Sequence, residues 1–250
     1  MTLHENFAAA LRDSDLNVIS VEPVSGNRRS PNPTAVTVQW GAKSLAIYHV
    51  FAWNITHEGK GRSGDNWRVQ ATSFGKGNSP VEVTRATIGL GWHEATGVWI
   101  AFDPWVKRSP GTSSSVHITD ALLHETKERG KVATTHRDHL WDPRLGFTPE
   151  HATEVFPWSN SLWEPKDHEL VVLTYTKPTD DQIIAEVDPK DSPGASGVRL
   201  EDRVSIHNEN GVSLEPYYWR VKGIEIKDIP TDNKRNKIHY LLAADKSATI

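Results

Sequence analysis

Between Ile47 and Asp103 the chain carries three apolar-alternating segments joined by polar loops: IYHVFAWNIT, WRVQATSF, and the pair ATIGLGW and GVWIAFD. A side-chain period of two belongs to a strand, because successive residues point to opposite faces. In WRVQATSF the alternation sets Trp67, Val69 and Ala71 on one face and Arg68, Gln70 and Thr72 on the other. ATIGLGW and GVWIAFD read as the arms of a hairpin through HEATG. This stretch commits the chain to a sheet.

The flanks extend that picture. Residues 4–12 have Phe7, Ala10 and Leu11 at helical spacing, so a short N-terminal helix is expected. NVISVEPVSG, AVTVQWG and SLAIYHVFAWNIT read as strands, with a Gly, Pro and Asn loop at 26–34 and a bend at Gly41–Lys43. The best helix is predicted over 115–130, capped by Ser113–Ser115 and stopped at Gly130. Residues 131–167, rich in Trp, Pro and His, read as irregular. ELVVLTYTK and DQIIAEVD are expected strands, and VRLEDRVSIH, YYWRVKGIEIKDI and KIHYLLAADK add three more β-like segments. The inventory predicts a β-rich α+β fold, a curved mixed sheet or partly open barrel with one main helix and a β-rich C-terminal region. Division into 1–177 and 178–250 is expected.

Composition closes several routes. No apolar run reaches the roughly 18–20 residues of a membrane span, so no membrane partner is expected. The first fifteen residues lack the basic-then-apolar order of a signal peptide. Without cysteine there are neither disulfides nor thiolate metal sites, and the expected location is cytoplasmic. A net charge of −4 argues against nonspecific electrostatic wrapping of nucleic acid as the whole function, while leaving room for a local basic face.

Ten tryptophans mix core with candidate stacking platforms. Arg68 and Gln70, held side by side on a strand, are the side-chain types that contact base edges or phosphate through paired hydrogen bonds. Lys60, Arg62, Lys76, Arg28 and Arg29 would add phosphate charge, Asp65 sits among them, and Trp53 or Trp67 would stack a base. The bland alternative is a solvated strand face with an Asp65–Arg68 surface pair. His136, Asp138, His139 and Asp142 have ligand chemistry but match no zinc spacing, so no metal or other cofactor is expected. One catalytic alternative stands: Glu225-Ile226-Lys227 has the acid-x-Lys form of a Mg²⁺-dependent nuclease, with Asp202 as the earlier acid. Nucleophile-elbow, phosphate-loop and dinucleotide motifs are missing.

The order of these features resembles the N-terminal recognition domains of modification-dependent prokaryotic restriction endonucleases, including HNH-type enzymes that read methylated or phosphorothioated DNA. Arg62, Asp65, Arg68 and Gln70 follow the order of that family's R-x-x-[DE]-x-R-[IV]-Q pattern, with one residue more between Asp65 and Arg68. Gly91-Trp92, Phe102-Asp103 and the Ser-led helix ending at Gly130 follow in order, and the likeness covers about residues 45–176. The resemblance implies a DNA-recognition module of a bacterial restriction or anti-phage defence system that reads modified duplex DNA. No HNH motif is present, which implies that the nuclease is a partner chain or lies outside this sequence. The other readings are the Mg²⁺-dependent endonuclease and a protein-interaction subunit docking through the tryptophan-rich 141–163 region.

Overall fold

The computed structural model describes residues 2–12, 16–24, 33–40, 44–59, 66–71, 83–107, 114–136, 139–189, 191–228 and 236–249. The chain divides into two compact units, Met1–Leu162 and Trp163–Ile250.

In the first unit helix α1 (Leu3–Arg12) starts with a reciprocal cap. Glu5 N donates to Thr2 Oγ1 at 3.2 Å and Thr2 N donates to Glu5 Oε2 at 2.6 Å. Its apolar face buries Phe7, Ala8, Ala10 and Leu11. The strands that follow are β1 (Val18–Pro23), β2 (Thr34–Trp40), β3 (Ser44–Asn54), β4 (Thr56–His57), β5 (Asn66–Ala71), β6 (Thr87–His93) and β7 (Val98–Phe102). After the one-turn helix α2 (Pro104–Lys107) come β8 (Ser114–Thr119), helix α3 (Asp120–Arg129), β9 (Lys131–His136) and β10 (His139–Phe147). A 3₁₀ helix (Pro149–Glu154) and helix α4 (Val155–Ser161) close the unit.

Seven strands form one mixed sheet in the order β1-β2-β3-β6-β7-β10-β9, with β3 and β6 parallel and the other pairs antiparallel. β4, β5 and β8 form a separate antiparallel sheet. β7 is buried at every residue and β6 at all but Trp92, as expected of central strands covered on both faces. One face packs Val36, Val50, Ile88, Leu90, Trp99 and Phe147 with α1, the 3₁₀ helix and α4. The other packs Phe51, Ile100 and Phe102 with Val69, Val116 and Ile118 of the small sheet and Leu122 and Leu123 of α3. The small sheet therefore lies as a third layer on the large one. Gly91 permits its approach: a Cβ there would fall 2.4 Å from Val69 Cγ2 and 2.8 Å from Ile55 Cγ1.

The second unit is a six-stranded sheet of β11 (Asp167–Val171), β12 (Thr174–Thr179), β13 (Gln182–Val187), β14 (Arg203–His207), β15 (Tyr217–Asp228) and β16 (Asn236–Thr249). Their order is β11-β14-β15-β16-β13-β12, with β11 and β14 the parallel pair. Trp219, Tyr240, Ile183, Val204 and Leu242 fill its core. Among the described residues no sheet closes into a barrel, so the fold is α+β with mixed open sheets.

Three predicted elements differ. The helix expected over 115–130 begins at Asp120, and Ser114–Thr119 is a strand instead. Val116 and Ile118 alternate inward and β5 offers a pairing edge, so period two prevails; Thr119 Oγ1, accepting from Leu122 N at 3.3 Å, caps the helix. Gly130, at φ +76°, ends it as expected. The supposedly irregular 131–167 contains β9, β10, the 3₁₀ helix and α4. Pro143 hid the strand, and it sits at a register shift of β10, where a residue without an N–H is tolerated. ELVVLTYTK is split between β11 and β12, and both pair within the second sheet rather than with the residues before 163.

A polar sheet face as candidate nucleic-acid interface

β5 runs between β4 and β8, and the registers fix which side chains share a face. Val69 pairs with Val116 and Trp67 with Ile118, facing the large sheet. Alternate residues face away: Arg68 stands between Thr56 and His117, Gln70 opposite Ser115, and Asn66 opposite Thr119. Gln70 and Ser115 are exposed, while Arg68 and His117 are half-buried. Directly opposed residues of such a pair lie about 5 Å apart, and same-face residues along a strand about 6.8 Å apart. Arg68 and Gln70 thus share an outward face, as the alternation of WRVQATSF predicts.

Two features of this face were not legible in the sequence. Glu58 continues the edge beyond β4, its N–H donating to Asn66 O at 3.1 Å, and Gly59 at φ +94° turns the chain. The Glu58 carboxylate lies 2.8 Å from His117 Nδ1, with side-chain exposures of 3% and 43% respectively. A buried acid therefore stands within ion-pair distance of one nitrogen of a surface imidazole. Arg68 differs from Arg129, Arg144, Arg203 and Arg220, each of which is bonded to a carboxylate. Its Nε is buried without a hydrogen-bond acceptor among the described residues.

At the end of the small sheet nearest α3, Trp67 meets His93 edge-on at 4.3 Å and His57 at 5.4 Å, while its Nε1 donates to Asp120 Oδ1 at 3.1 Å. His124 Nε2 takes the other oxygen of Asp120 at 3.2 Å. His93 is buried and its Nδ1 lies 2.8 Å from Thr96 Oγ1. Burial holds its imidazole below the ordinary 6.5; Asp120 opposes that shift and His124 adds to it. Burial also lowers His4, whose Nδ1 lies 2.7 Å from Thr34 Oγ1. A depressed pKa means that the folded state binds fewer protons than the unfolded chain. The stability is then complete above 6.5 and is lost as pH falls below it toward the folded values. The melting temperature should accordingly drop between about pH 7 and pH 5, with a smaller drop in His93→Gln. An unchanged slope in that variant would show that His93 protonates freely in the fold.

The remaining sequence-predicted residues are placed as follows. Trp53 is 8% exposed, stacked on Phe51 at 5.9 Å and 10° and against Phe102 at 5.9 Å, so its faces are occupied by core. Arg28, Arg29, Lys60, Arg62, Asp65 and Lys76 lie outside the described residues, as does Asp138. Asp142 is spent on Arg144 in a buried pair, and among the described residues no three His, Cys, Asp or Glu gather as metal ligands. In the second unit Asp202 is buried and accepts from Lys166 N at 3.0 Å and Arg199 N at 2.7 Å, with His168 Nε2 at 2.9 Å. Its backbone carbonyl accepts from Val221 N, so Glu225 stands four residues further along β15, roughly 13 Å at strand rise. Glu225 is exposed, opposite His239, and the Lys227 side chain lies outside the described residues. Asp202 works as a turn anchor, and that spacing does not bring it to Glu225.

Residues 46–156 match the family model described as Methylase-associated X1. The matched stretch runs from β3 into α4 and contains the whole small sheet, α3 and the polar face. No curated protein and no solved structure matches the chain. Among the described residues no helix is long and apolar enough to cross a membrane.

Proposed function

We propose that this chain is a DNA-recognition component of a methylase-linked restriction system, contacting duplex DNA through the outward face of the small sheet. Arg68, Gln70, Ser115 and His117 form the contact, and Lys60, Arg62, Lys76, Arg28 and Arg29 supply phosphate charge. The match of residues 46–156 to a methylase-associated family supports the setting. The observation that carries the reading is Arg68: a guanidinium on a rigid strand, ringed by polar side chains and tied to no carboxylate among the described residues. An arginine fork on an outward strand face is the side-chain type that pairs with a base edge or a phosphate. In such a system the chain acts in the cytoplasm of a bacterium, in defence against phage. It reads DNA by its modification state, and cutting belongs to a partner chain.

The test is fluorescence-anisotropy binding of the full chain to unmodified, cytosine-methylated, hydroxymethylated and phosphorothioated duplexes across a salt series. One duplex should bind tightest, with a salt slope reporting several phosphate contacts. Arg68→Ala should weaken that complex by roughly 1–3 kcal/mol with little change in melting temperature, because among the described residues the side chain is bonded to no carboxylate. Equal affinity in the variant removes Arg68 from the interface. Cleavage that appears with Mg²⁺ and vanishes in Glu225→Ala would replace this reading with the nuclease.

A further inference from the structure

We infer that β5 and β8 enter the major groove as a two-stranded reader, Arg68 and His117 addressing one base pair and Gln70 and Ser115 a second pair two steps away. This rests on the outward face being the DNA contact. β4 is two residues long and pairs only at Arg68 and Trp67, so among the described residues the face narrows from three strands at Arg68 to two at Gln70. A major groove about 12 Å across admits a two-stranded ribbon.

Spacing comes next. Same-face residues of a strand repeat at about 6.8 Å, and stacked base pairs rise about 3.4 Å, so Arg68 and Gln70 are in step with alternate pairs. Their chemistry suits purines there: an arginine fork spans O6 and N7 of guanine, and a glutamine amide spans N6 and N7 of adenine. His117 stands directly across from Arg68 and Ser115 directly across from Gln70, placing one further polar group at each position. The Glu58 carboxylate, 3% exposed, is too buried to touch a base and acts as the positioning residue that holds the His117 ring.

The aromatic residues argue the same way. Reading a single strand or an extruded base needs an open ring face. Trp53 is stacked within the core, and Trp67 has His57 and His93 against it and its Nε1 on Asp120. Trp53 therefore offers no platform, and Trp67 lies on the core side of the small sheet rather than beside Arg68.

The preferred duplex is first selected with the full chain from a randomised ten-base-pair library, prepared unmodified and cytosine-methylated. Each purine is then replaced singly by its 7-deaza analogue, which deletes the N7 acceptor from the major groove, and each guanine by inosine, which deletes the minor-groove amino group. Two 7-deaza positions, two steps apart, should each weaken binding about 10-fold or more, while inosine changes affinity by less than about 2-fold. Arg68→Ala should abolish the penalty at one position and Gln70→Ala at the other. Glu58→Ala should flatten base preference at the Arg68 position, and Glu58→Gln should retain it. Tight binding insensitive to every 7-deaza substitution overturns the groove assignment while leaving DNA contact in place. Sensitive positions at another spacing, or tighter binding to single strands, also overturn it. Binding to no duplex at all removes the DNA reading itself.

Discussion

Alanine at Asp142 should lower the unfolding free energy by about 3–5 kcal/mol, more than any surface change in the chain. Asp142 and Arg144 are 1% and 2% exposed, two residues apart on β10, in a strand whose Leu145 and Phe147 fill the helix-side core. Arg144 donates from Nη2 to Asp142 Oδ2 at 3.0 Å and from Nη1 to the other carboxylate oxygen and to Pro143 O at 3.1 Å. Removing the acid leaves a guanidinium buried without its counter-charge, and the low-dielectric interior makes that costly. The pair itself need not be a net stabiliser, because two desolvation penalties oppose one attraction. Replacing both, as Asp142→Leu with Arg144→Met, should therefore recover most of the loss. Urea unfolding with constant m would measure both effects. A single variant that costs under about 1 kcal/mol would show the site to be wet, and a double as damaged as the single would give the pair a role beyond mutual neutralisation.

That pair also marks where sequence reading stops. Asp142 stands in THRDHLWDPRLGF, where histidines and acids suggest ligands and a proline suggests a loop. Nothing local reveals that the head of Arg144, two residues on, turns inward, or that Pro143 falls at a register shift. The strands of 47–103 were legible because alternation is a local property and the fold respects it: Val69 and Ala71 go in, Gln70 goes out. The error at 115–119 has the same root from the other side. SVHIT alternates, but the helix signal of the residues after it masks a strand that exists because β5 lies alongside. The site divides likewise. Arg68 and Gln70 follow from one segment, whereas His117 and Glu58 join them only through pairing across 49 and 10 positions of chain, counted from 68 to 117 and 58 to 68. Trp53 was ambiguous for a different reason: core and platform tryptophans look alike until their neighbours are known.

Gly91→Ala should cost about 1–3 kcal/mol of stability and weaken DNA binding with it, a combination that Arg68→Ala does not produce. Gly91 lies on β6 beneath β5, and the added methyl would meet Val69 Cγ2 at 2.4 Å and Ile55 Cγ1 at 2.8 Å. Contacts so short cannot persist. Either the side chains leave their rotamers or the small sheet lifts from the large one. Because Val69 stands between Arg68 and Gln70, any lift of β5 carries both outward side chains with it. Gly194, whose Cβ would meet nothing within 4 Å, is the control: alanine there should leave stability and binding close to wild type. Trimming Val69 to alanine in the Gly91→Ala background returns volume to the contact, so the two substitutions should be strongly non-additive. Additive losses would mean that the clash is relieved elsewhere, through Ile55. A stable Gly91→Ala protein with unaltered duplex affinity would show that the third layer is not seated through this glycine, and the rigidity ascribed to the reading face would have to come from α3 and β8 instead.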